Sequence, residues 1–327
     1  MKGLKDKIEN IVENFKKLNI LVIGDVMLDK YTFGEVSRIS PEAPIPVLEV
    51  KEQRFVPGGA ANVASNITSF NAKCSLIGIV GNDESKKILL TELEKRKINV
   101  SNLITDKKRR TIVKERIIAK SQQMIRVDFE NKEYIHFDHI KEIIKKIGKT
   151  KYDAIIVSDY AKGMITHELL NELKKLNVKI IVDTKPLHKK WYKDVFAITP
   201  NEKEAREMSA SLEEKSSNIE DVGNYLKKEL NANVLMTRGQ HGISLFEKGE
   251  SKVFSVPTKA KEVYDVSGAG DTVIAVYSLA VASNIEQKTA AVIANHAGGI
   301  KVKKLGTATV SASELIKDIK EDESYIS

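Results

Sequence analysis

A glycine-rich turn near the carboxyl end of the chain carries the residues best suited to chemistry. It reads Asp265-Val266-Ser267-Gly268-Ala269-Gly270-Asp271 and precedes an apolar run over residues 273–282 that is long enough for a buried helix. Glycine allows a tight turn and lets backbone N–H groups approach a ligand closely. N–H groups at the start of a helix attract phosphate or developing negative charge. With Asp271 in the first helical turn, the motif predicts a carboxylate base beside an anion site, as phosphoryl transfer requires.

A second glycine motif, Pro57-Gly58-Gly59-Ala60-Ala61-Asn62, stands early in the chain. Gly58 and Gly59 would let a ligand approach the backbone, and the Asn62 amide can both donate and accept hydrogen bonds. Both glycine motifs also have purely structural interpretations. The first could be a turn in which Asp271 only stabilises a helix, and the second could be a helix start packed closely on a sheet.

A third motif, Thr199-Pro200-Asn201-Glu202-Lys203-Glu204, follows a strand-like run. Pro200 ends the strand, Asn201 can cap the next helix, and Glu204 then occupies the third helical position of a capping box. That structural role explains the spacing fully. In the functional interpretation, Asn201 and Glu204 face the ligand and hold Mg²⁺ through its water ligands, because Mg²⁺ keeps several waters and prefers carboxylate and phosphate oxygens.

Polar and charged residues follow other strand-like runs as well. Thr237 and Gly239 are candidates for contact with a nucleotide phosphate. Asp159, Lys162 and Lys185 are candidates for contact with the substrate, because each lysine could meet a phosphate as a point charge. The alternative for both lysines is a solvent-facing position, which is the commoner one.

These candidates depend on a predicted parallel sheet. Short apolar runs that alternate with helical patterns occur at residues 20–25, 76–81, 154–159, 180–183, 195–199 and 234–237. Continuous apolar strands separated by helices indicate a parallel sheet covered on both faces, and ligands bind beyond the carboxyl ends of such strands. We therefore expect the residues that end these runs to gather at one edge of the sheet: Asp25, Asp159, Asp183 and Thr237.

Two segments interrupt the alternation of strands and helices. Residues 31–57 contain Pro41, Pro44 and Pro46, and residues 110–130 alternate in part between apolar and charged side chains. Neither pattern is helical. Together they predict a small β-sheet that projects from the main domain as a lid over the edge. Because the apolar face of such a sheet needs cover, we expect a homodimer formed through the lid.

Composition narrows the possible classes of function. The chain has 327 residues, 42% of them hydrophobic, and a formal net charge of +8. This charge suits anionic small molecules, and since the Lys107–Arg110 cluster lacks interleaved aromatics, we expect no nucleic-acid partner. The single cysteine, Cys74, fits a cytoplasmic location, and no apolar run approaches the roughly 20 residues of a membrane span. Helical spacing predicts an amphipathic amino-terminal helix that buries Leu4, Ile8, Ile11, Val12 and Phe15.

Taken together, Gly58-Gly59-Ala60-Ala61-Asn62 and the turn at residues 265–271 resemble the motifs of the ribokinase-like (PfkB) sugar kinases. The resemblance extends from Ile20 to about Ser311. It implies a single kinase domain over residues 1–327, with an α/β fold of three layers (α/β/α), a mostly parallel central sheet and a small β-sheet lid. It also implies ATP and Mg²⁺ as cofactors and allows for a monovalent cation such as K⁺.

Within this family, five segments resemble the D-glycero-β-D-manno-heptose-7-phosphate kinases, namely residues 24–29, 37–47, 158–163, 262–274 and 304–307. The resemblance implies phosphorylation of the C1 hydroxyl of heptose 7-phosphate, on the route to ADP-heptose for the lipopolysaccharide core. In many bacteria this kinase is fused to a C-terminal nucleotidyltransferase. Because the chain ends at Ser327, the resemblance is to the free-standing kinase or to the kinase half alone.

The resemblance also implies roles for individual residues. Asp271 would be the base, and the anion hole would be formed by backbone N–H groups of Gly268, Ala269, Gly270 and Asp271. ATP and Mg²⁺ would be contacted by Asn201, Glu202, Lys203 and Glu204, and the adenine by Asn295. The sugar would be contacted by Asp29, Gly58, Gly59 and Asn62. Arg38, in the lid, is the candidate for the 7-phosphate, because a guanidinium fork fits phosphate geometry.

Two positions depart from the pattern of the family. Ser267 stands where threonine is common and keeps the hydroxyl group. Thr184-Lys185-Pro186 replaces a more usual Pro-Lys-Gly, which weakens the assignment of Lys185. Two alternative functions stay open: a PfkB kinase of another sugar, sugar phosphate or nucleoside, and a non-catalytic binding protein with the same fold.

Overall fold

An eight-stranded sheet forms the centre of the computed structural model, which describes residues 3–120, 122–210, 218–258, 264–304, 306 and 308–322. The strands in these residues are β1 (Asn19–Gly24), β2 (Val26–Ile39), β3 (Pro46–Gly59), β4 (Lys73–Ile77), β5 (Ile79–Val80), β6 (Ile104–Thr105), β7 (Ile112–Ala119), β8 (Gln122–Phe129), β9 (Ala154–Ser158), β10 (Lys179–Asp183), β11 (Ala197–Ile198), β12 (Asn233–Thr237), β13 (Ile243–Phe246) and β14 (Phe254–Val256). The helices are α1 (Leu4–Phe15), α2 (Ala60–Thr68), α3 (Glu84–Lys95), α4 (Phe137–Ile147), α5 (His167–Lys174), α6 (Glu202–Met208), α7 (Ile219–Leu230), α8 (Ala269–Ala282), α9 (Gln287–Lys301) and α10 (Ala312–Glu321). Short 3₁₀ segments cover Pro186–Tyr192 and Gly239–His241.

The central sheet has the strand order β14-β13-β12-β11-β10-β9-β1-β4. The six strands from β12 to β4 in this order are mutually parallel, and β13 and β14 run antiparallel at one side. The predicted parallel sheet is therefore confirmed. Its parallel strands all end at one edge, called the carboxyl edge below, where the residues at or just after the strand ends include Asp25, Asp159, Asp183 and Thr237.

Helices cover both faces of the sheet because successive strand residues point to opposite sides. In β1, Ile20 and Val22 belong to one buried core and Leu21 and Ile23 to the other. The first core includes residues of α1, α2, α8, α9 and α10, and the second includes residues of α4, α5, α6 and α7. This arrangement confirms the three-layer α/β/α fold. The amphipathic amino-terminal helix is also confirmed, since α1 buries the five apolar residues that its spacing indicates.

A second sheet, with the order β3-β2-β7-β8, projects from the carboxyl edge and is called the lid below. β2 pairs antiparallel with β3 and parallel with β7, and β7 pairs antiparallel with β8. The expected small β-sheet is confirmed, although β2 and β3 pair as far as Val26 and Gly59, closer to the main sheet than expected. Large apolar side chains of the lid lie exposed at Ile39, Ile45, Val50, Met124 and Ile125.

Some local expectations differ from the structure. The run at residues 76–81 divides at Gly78 between β4 and β5, which belong to different sheets. The run at residues 195–199 contributes only the two residues of β11, and the sequence pattern gave no signal for β13 or β14. In the described part of the chain, no helix is both long and apolar enough to cross a membrane.

Candidate active site

The N-terminal ends of two helices meet at the carboxyl edge. α2 begins directly after Gly59 at the end of β3, and α8 begins directly after Gly268. Gly268 has a φ of 73°, in the left-handed region that glycine adopts without strain. A Cβ on Gly268 would lie 2.7 Å from Nδ2 of Asn62. Both the backbone conformation and the proximity of α2 therefore call for glycine at this position.

Asp271 lies in the first turn of α8 and is almost fully buried, with 7% of the residue exposed. Asn62 donates a hydrogen bond from Nδ2 to Oδ2 of Asp271 at 2.6 Å. The Tyr160 hydroxyl donates to Oδ1 at 2.9 Å. Burial raises the pKa of Asp271, as does the charge of Asp29, while the two hydrogen bonds and Lys185 oppose the rise. The structure thus presents one oriented carboxylate beside the N–H groups at the start of α8.

A second pair of contacts holds α2 against α8. The Thr272 hydroxyl donates to Oδ1 of Asn66 at 2.9 Å, and Nδ2 of Asn66 donates to the carbonyl of Asn62 at 2.9 Å. All of these side chains are buried. Because buried polar networks of this kind are rigid when every member is satisfied, they fix Asn62 in the position from which it contacts Asp271.

Tyr160 is a site residue that the sequence analysis missed. Two lysines lie near its ring, with Nζ of Lys114 at 5.7 Å and Nζ of Lys185 at 5.5 Å from the ring centroid. Burial and the charge of Asp271 raise the pKa of its phenol, so the hydroxyl keeps its proton and remains a donor. The segment Ser158–Gly163 was noted for its lysine and aspartate, but nothing in its pattern placed the tyrosine next to Asp271.

Two aspartates of the carboxyl edge support the loop that carries Tyr160. Asp25 accepts hydrogen bonds from the backbone N–H groups of Tyr160, Lys162 and Met164 at 2.8, 3.1 and 3.0 Å. Burial and the charge of Asp159 raise the pKa of Asp25 to about 6, against these hydrogen bonds.

Asp159 was a candidate for substrate contact, but its side chain lies beneath the edge and is 0% exposed. It accepts from the Tyr192 hydroxyl at 2.7 Å and from the backbone N–H of Ala161 at 2.7 Å, and it lies 2.6 Å from Nδ1 of His188. The contacts described for Asp159 are thus to the loop and to the segment that contains His188 and Tyr192.

Asp29, Gly58 and Gly59 lie together where the lid joins the main sheet. Oδ1 of Asp29 forms an ion pair with Arg116 of β7 at 2.6 Å. A Cβ on Gly58 would overlap the Asp29 carboxylate, so glycine is required beside it. Arg116, which lies 5.2 Å from the ring centroid of Tyr31, is a second residue that the sequence analysis missed. Its only signal was a place in the alternating segment at residues 110–130.

The Asn201–Glu204 motif lies at the same edge, farther along the sheet. The Asn201 side chain accepts a hydrogen bond from the backbone N–H of Glu204, and the Glu204 carboxylate accepts one from the backbone N–H of Asn201, which confirms the capping box at the start of α6. Asn201 also bridges to Thr237 at the end of β12, which brings the two predicted nucleotide contacts together. Glu204 forms an ion pair with Lys185, and this pairing raises the pKa of Lys185 even though burial opposes its charge.

The acidic residues near Glu204 suit an outer-shell role toward Mg²⁺. The described residues contain no group of three or more His, Cys, Asp and Glu side chains placed to hold a metal. Burial, together with repulsion from Asp271 and Glu204, raises the pKa of Asp183 well above its usual value. A hydrated divalent cation would relieve this repulsion, so the carboxylates present fit a metal that arrives with its own waters and a nucleotide.

The remaining predicted residues are more scattered. Lys162 forms an ion pair with Glu130 at 2.6 Å, Asn295 donates from Nδ2 to the carbonyl of Pro257 at 2.9 Å, and Lys203 is largely exposed. Glu202 pairs with Arg206, and Gly239 has a φ of 53°. Residues 262, 263, 305 and 307 of the segments noted in the sequence lie outside the described residues.

Arg38 lies far from the other candidates within its own chain. It is exposed near the end of β2, nine residues beyond Asp29 on the same strand. At roughly 3.3 Å per strand residue, this separation is about 30 Å. The structure therefore does not bring Arg38 to the rest of the site.

Sequence comparison gives consistent matches over most of the chain. A family model described as pfkB family carbohydrate kinase matches residues 17–314. The bifunctional protein HldE of Desulfatibacillum aliphaticivorans is 41% identical over 317 residues, which cover 93% of this chain and 63% of that protein. HldE of Geobacter sulfurreducens is 36% identical over 319 residues, covering 95% of this chain and 65% of that protein. The chain thus spans less than two thirds of the length of these relatives.

Solved structures share the fold at low sequence identity. A ribokinase from Arabidopsis thaliana, complexed with ribose and ATP, superposes with a TM-score of 0.74 at 19% identity, covering 93% of this chain and 99% of that one. Phosphofructokinase-2 from Escherichia coli, in complex with potassium, superposes with a TM-score of 0.76 at 18% identity, covering 92% of this chain and 97% of that one. These similarities confirm the ribokinase-like fold.

Proposed function

Because this chain belongs to the pfkB family of carbohydrate kinases, we propose that it transfers the terminal phosphoryl group of ATP to the C1 hydroxyl of D-glycero-D-manno-heptose 7-phosphate. One observation carries the catalytic part of this proposal. Asp271 is held by Asn62 and Tyr160 at the N-terminus of α8, where a base and an anion site coincide. We also propose that the reaction takes place in the cytoplasm, because a single buried cysteine suits a reducing compartment.

The chemistry follows from the surroundings of Asp271. Its carboxylate takes the proton of the sugar hydroxyl as the oxygen attacks the terminal phosphorus of ATP in line with the leaving group. The pKa of Asp271 is raised by burial, which strengthens it as a base. Backbone N–H groups of Gly268 and Gly270 would stabilise the charge on the transferring group, because N–H groups at a helix start have no partner within the helix. The N–H of Ala269, the third predicted member of the anion hole, donates to the carbonyl of Val266 at 3.2 Å.

The nucleotide side of the proposal uses the far part of the carboxyl edge. We propose that Asn201, Glu202, Lys203, Glu204, Thr237, Gly239 and Asn295 line the ATP site. Mg²⁺ would supply charge neutralisation between the phosphates when bound, with Glu204 and Asp183 holding its waters. A monovalent cation such as K⁺ stays a prediction.

The identity of the sugar rests on the segments that resemble the heptose kinases. That group occurs in many bacteria fused to a nucleotidyltransferase, and the curated relatives of this chain are named bifunctional and extend well beyond it. We propose that Asp29 binds sugar hydroxyls beside Gly58 and Gly59; its ion pair with Arg116 and its electrostatic effect on Asp271 support this role. The segment at residues 37–47 lies in the lid, which would close over the sugar and exclude water.

We further propose that the protein is a homodimer that joins through its lids. The exposed apolar side chains of the lid, such as Val50 and Ile125, would be covered by the same face of a partner. This arrangement also suits Arg38. Since it is about 30 Å from Asp29 along β2, a seven-carbon sugar bound at Asp29 cannot reach it within one chain. We therefore propose that Arg38 binds the 7-phosphate in the site of the partner subunit.

The test of the function is a substrate panel. ADP release would be measured with Mg·ATP and D-glycero-D-manno-heptose 7-phosphate, beside ribose, fructose 6-phosphate and adenosine. We expect strong turnover on the heptose phosphate alone. Turnover on another member of the panel would keep the kinase chemistry and overturn the sugar, and failure on all of them would favour a non-catalytic protein.

A further inference from the structure

Lys301, the last residue of α9, is a fully buried lysine that the mechanism above does not use. The residue is 0% exposed. Its ammonium donates a hydrogen bond from Nζ to the carbonyl of Gly306 at 2.6 Å. Burial lowers the pKa of Lys301, whereas the carboxylates of Asp265 and Asp271 favour its charged form. Burying an ammonium group without an opposite charge beside it costs free energy, so the charge of Lys301 requires an explanation.

The position is beneath the glycine turn that precedes Asp271. Cε of Lys301 lies 3.7 Å from the point where a Cβ on Gly268 would stand. Asp265, at the start of the turn, accepts from the backbone N–H of Ser267 and of Gly306, each at 2.8 Å. The backbone N–H groups of Tyr264 and Asp265 donate to the carbonyl of Val302. The end of α9 and the turn are therefore one connected unit, with the ammonium of Lys301 inside it.

Unlike Arg116 and Lys185, Lys301 forms no ion pair with a described residue. Arg116 pairs with Asp29 at 2.6 Å, and Lys185 pairs with Glu204. The hydrogen bond of Lys301 instead goes to a carbonyl, while Asp265 uses its two oxygens on backbone N–H groups. A positive charge in such a low-dielectric place acts strongly on negative charge that arrives nearby.

We propose that Lys301 is a positioning residue that supplies a fixed positive charge behind the anion hole at Gly268–Gly270. It would hold the turn closed through Gly306 and would stabilise both the Asp271 carboxylate and the transferring phosphoryl group. The inference rests on the proposed kinase function. An apolar residue could fill the same buried space without the free-energy cost of burying a charge. The positive charge of Lys301 is therefore the property that would act in the reaction.

The test separates charge from packing with two neutral variants. Lys301→Gln keeps a hydrogen-bond donor for the Gly306 carbonyl and removes the charge, and Lys301→Met keeps the apolar stem and removes both. Lys303→Gln, at an exposed lysine two residues along, is the matched control. Wild-type turnover with Mg·ATP on the sugar panel is measured first, and the variants are then compared on whichever sugar the wild type phosphorylates.

We expect kcat of Lys301→Gln to fall at least about tenfold, because a charge that acts mainly on the transition state is lost. KM for both substrates should change less than about threefold, and the control should match the wild type. A second readout is the affinity for Mg·ADP with and without aluminium fluoride, whose complex resembles the transferring group. Lys301→Gln should weaken the fluoride complex and leave ADP alone unchanged.

A Lys301→Gln variant with wild-type kcat and an unweakened fluoride complex would overturn the proposal, since the lysine would then be structural only. If Lys301→Gln does not fold, the same two readouts are taken on Lys301→Met. A wild type that phosphorylates no sugar would instead count against the proposed function, and the fluoride complex would still test Lys301.

Discussion

The base strength of Asp271 is set by groups that act in opposite directions. Burial and the neighbouring charge of Asp29 raise its pKa, while Asn62, Tyr160 and Lys185 hold it down. The two hydrogen bonds also fix the direction of each carboxylate oxygen. A higher pKa makes a carboxylate a stronger base, but only the ionised form can accept a proton. The balance among these groups therefore determines the pH range over which Asp271 could act as a base.

Removing the ionisable group of Asp271 should abolish most of the catalysis. For Asp271→Asn we expect kcat to fall by about 10²–10⁴-fold, because general-base catalysis typically contributes that much. The affinity for ATP should change little, since the proposed partner of this side chain is the sugar hydroxyl. Steady-state kinetics and ATP binding by calorimetry would check both parts. Near-normal turnover would show that Asp271 is not the base.

Tyr160→Phe should shift the pH dependence without removing the base. The hydroxyl lowers the pKa of Asp271 by donating to it, so its loss should raise that pKa and move the acid limb of kcat toward higher pH. The expected decrease in kcat at neutral pH is a few-fold to tenfold, as for loss of one hydrogen bond to a charged group. A kcat profile from acid to neutral pH measures the shift. An acid limb that stays in place would mean that Tyr160 does not act on Asp271.

At the scale of elements, the site depends on how closely α2 and α8 approach each other. Asn62 and Asp271 are hydrogen-bonded across this contact, and a second hydrogen bond between Thr272 and Asn66 also joins the two helices. Gly268 is the residue that permits the approach, because a side chain there would collide with Asn62. Small changes in the packing of the two helices are therefore expected to act on chemistry as well as on stability.

Gly268→Ala tests this dependence, and Gly249→Ala is its control. Both glycines have a positive φ, 73° and 85°, but only at Gly268 does a Cβ meet another atom within 4 Å. Each alanine should destabilise the fold by about 1–2 kcal/mol through backbone strain. Only Gly268→Ala should also lower kcat, because it displaces Asn62. Thermal unfolding would measure the stability of both variants, and steady-state kinetics would measure their kcat. Equal kcat values would show that the contact between Gly268 and Asn62 does not affect catalysis.

The sequence predicted the elements better than it predicted the contacts between them. The apolar runs located the parallel strands, and the polar residues that end them located the carboxyl edge. Tyr160 was missed because it contacts Asp271 from 111 positions away, and Arg116 because it contacts Asp29 from 87 positions away. Asp159 ends a strand like its neighbours, but local pattern does not reveal that His188 and Tyr192 cover it. Such pairings arise only from the three-dimensional arrangement.

At the scale of the whole molecule, the proposed dimer would make the lid part of both substrate recognition and assembly. Its strands β2 and β3 continue directly into the glycine motif at Gly58 and Gly59. Its far end carries Arg38 and an exposed apolar face. The proposed dimer would cover that face and bring Arg38 to the partner, so that neither chain would have a complete site alone.

Mixed dimers of two variants, one impaired in sugar-phosphate binding and one lacking the proposed base, test this arrangement. Arg38→Ala should raise KM for the sugar phosphate about tenfold or more, through loss of charged hydrogen bonds. Co-expressed with Asp271→Asn, it should form dimers in which one site has both an intact Asp271 and Arg38 from the other chain. At low sugar concentration, random pairing should then restore about one quarter of wild-type activity. Mixtures as inactive as the parents would show that Arg38 does not act between chains.

The hydrogen bond between Asn62 and Asp271 joins residues 209 positions apart. A ribosome therefore synthesises the glycine motif proposed to bind the sugar long before it synthesises the proposed base. Until α8 is synthesised and docked on α2, the growing chain lacks both Asp271 and the N–H groups at the start of α8. In the proposed mechanism, a chain that terminates before α8 would catalyse no phosphoryl transfer, because it would lack the base.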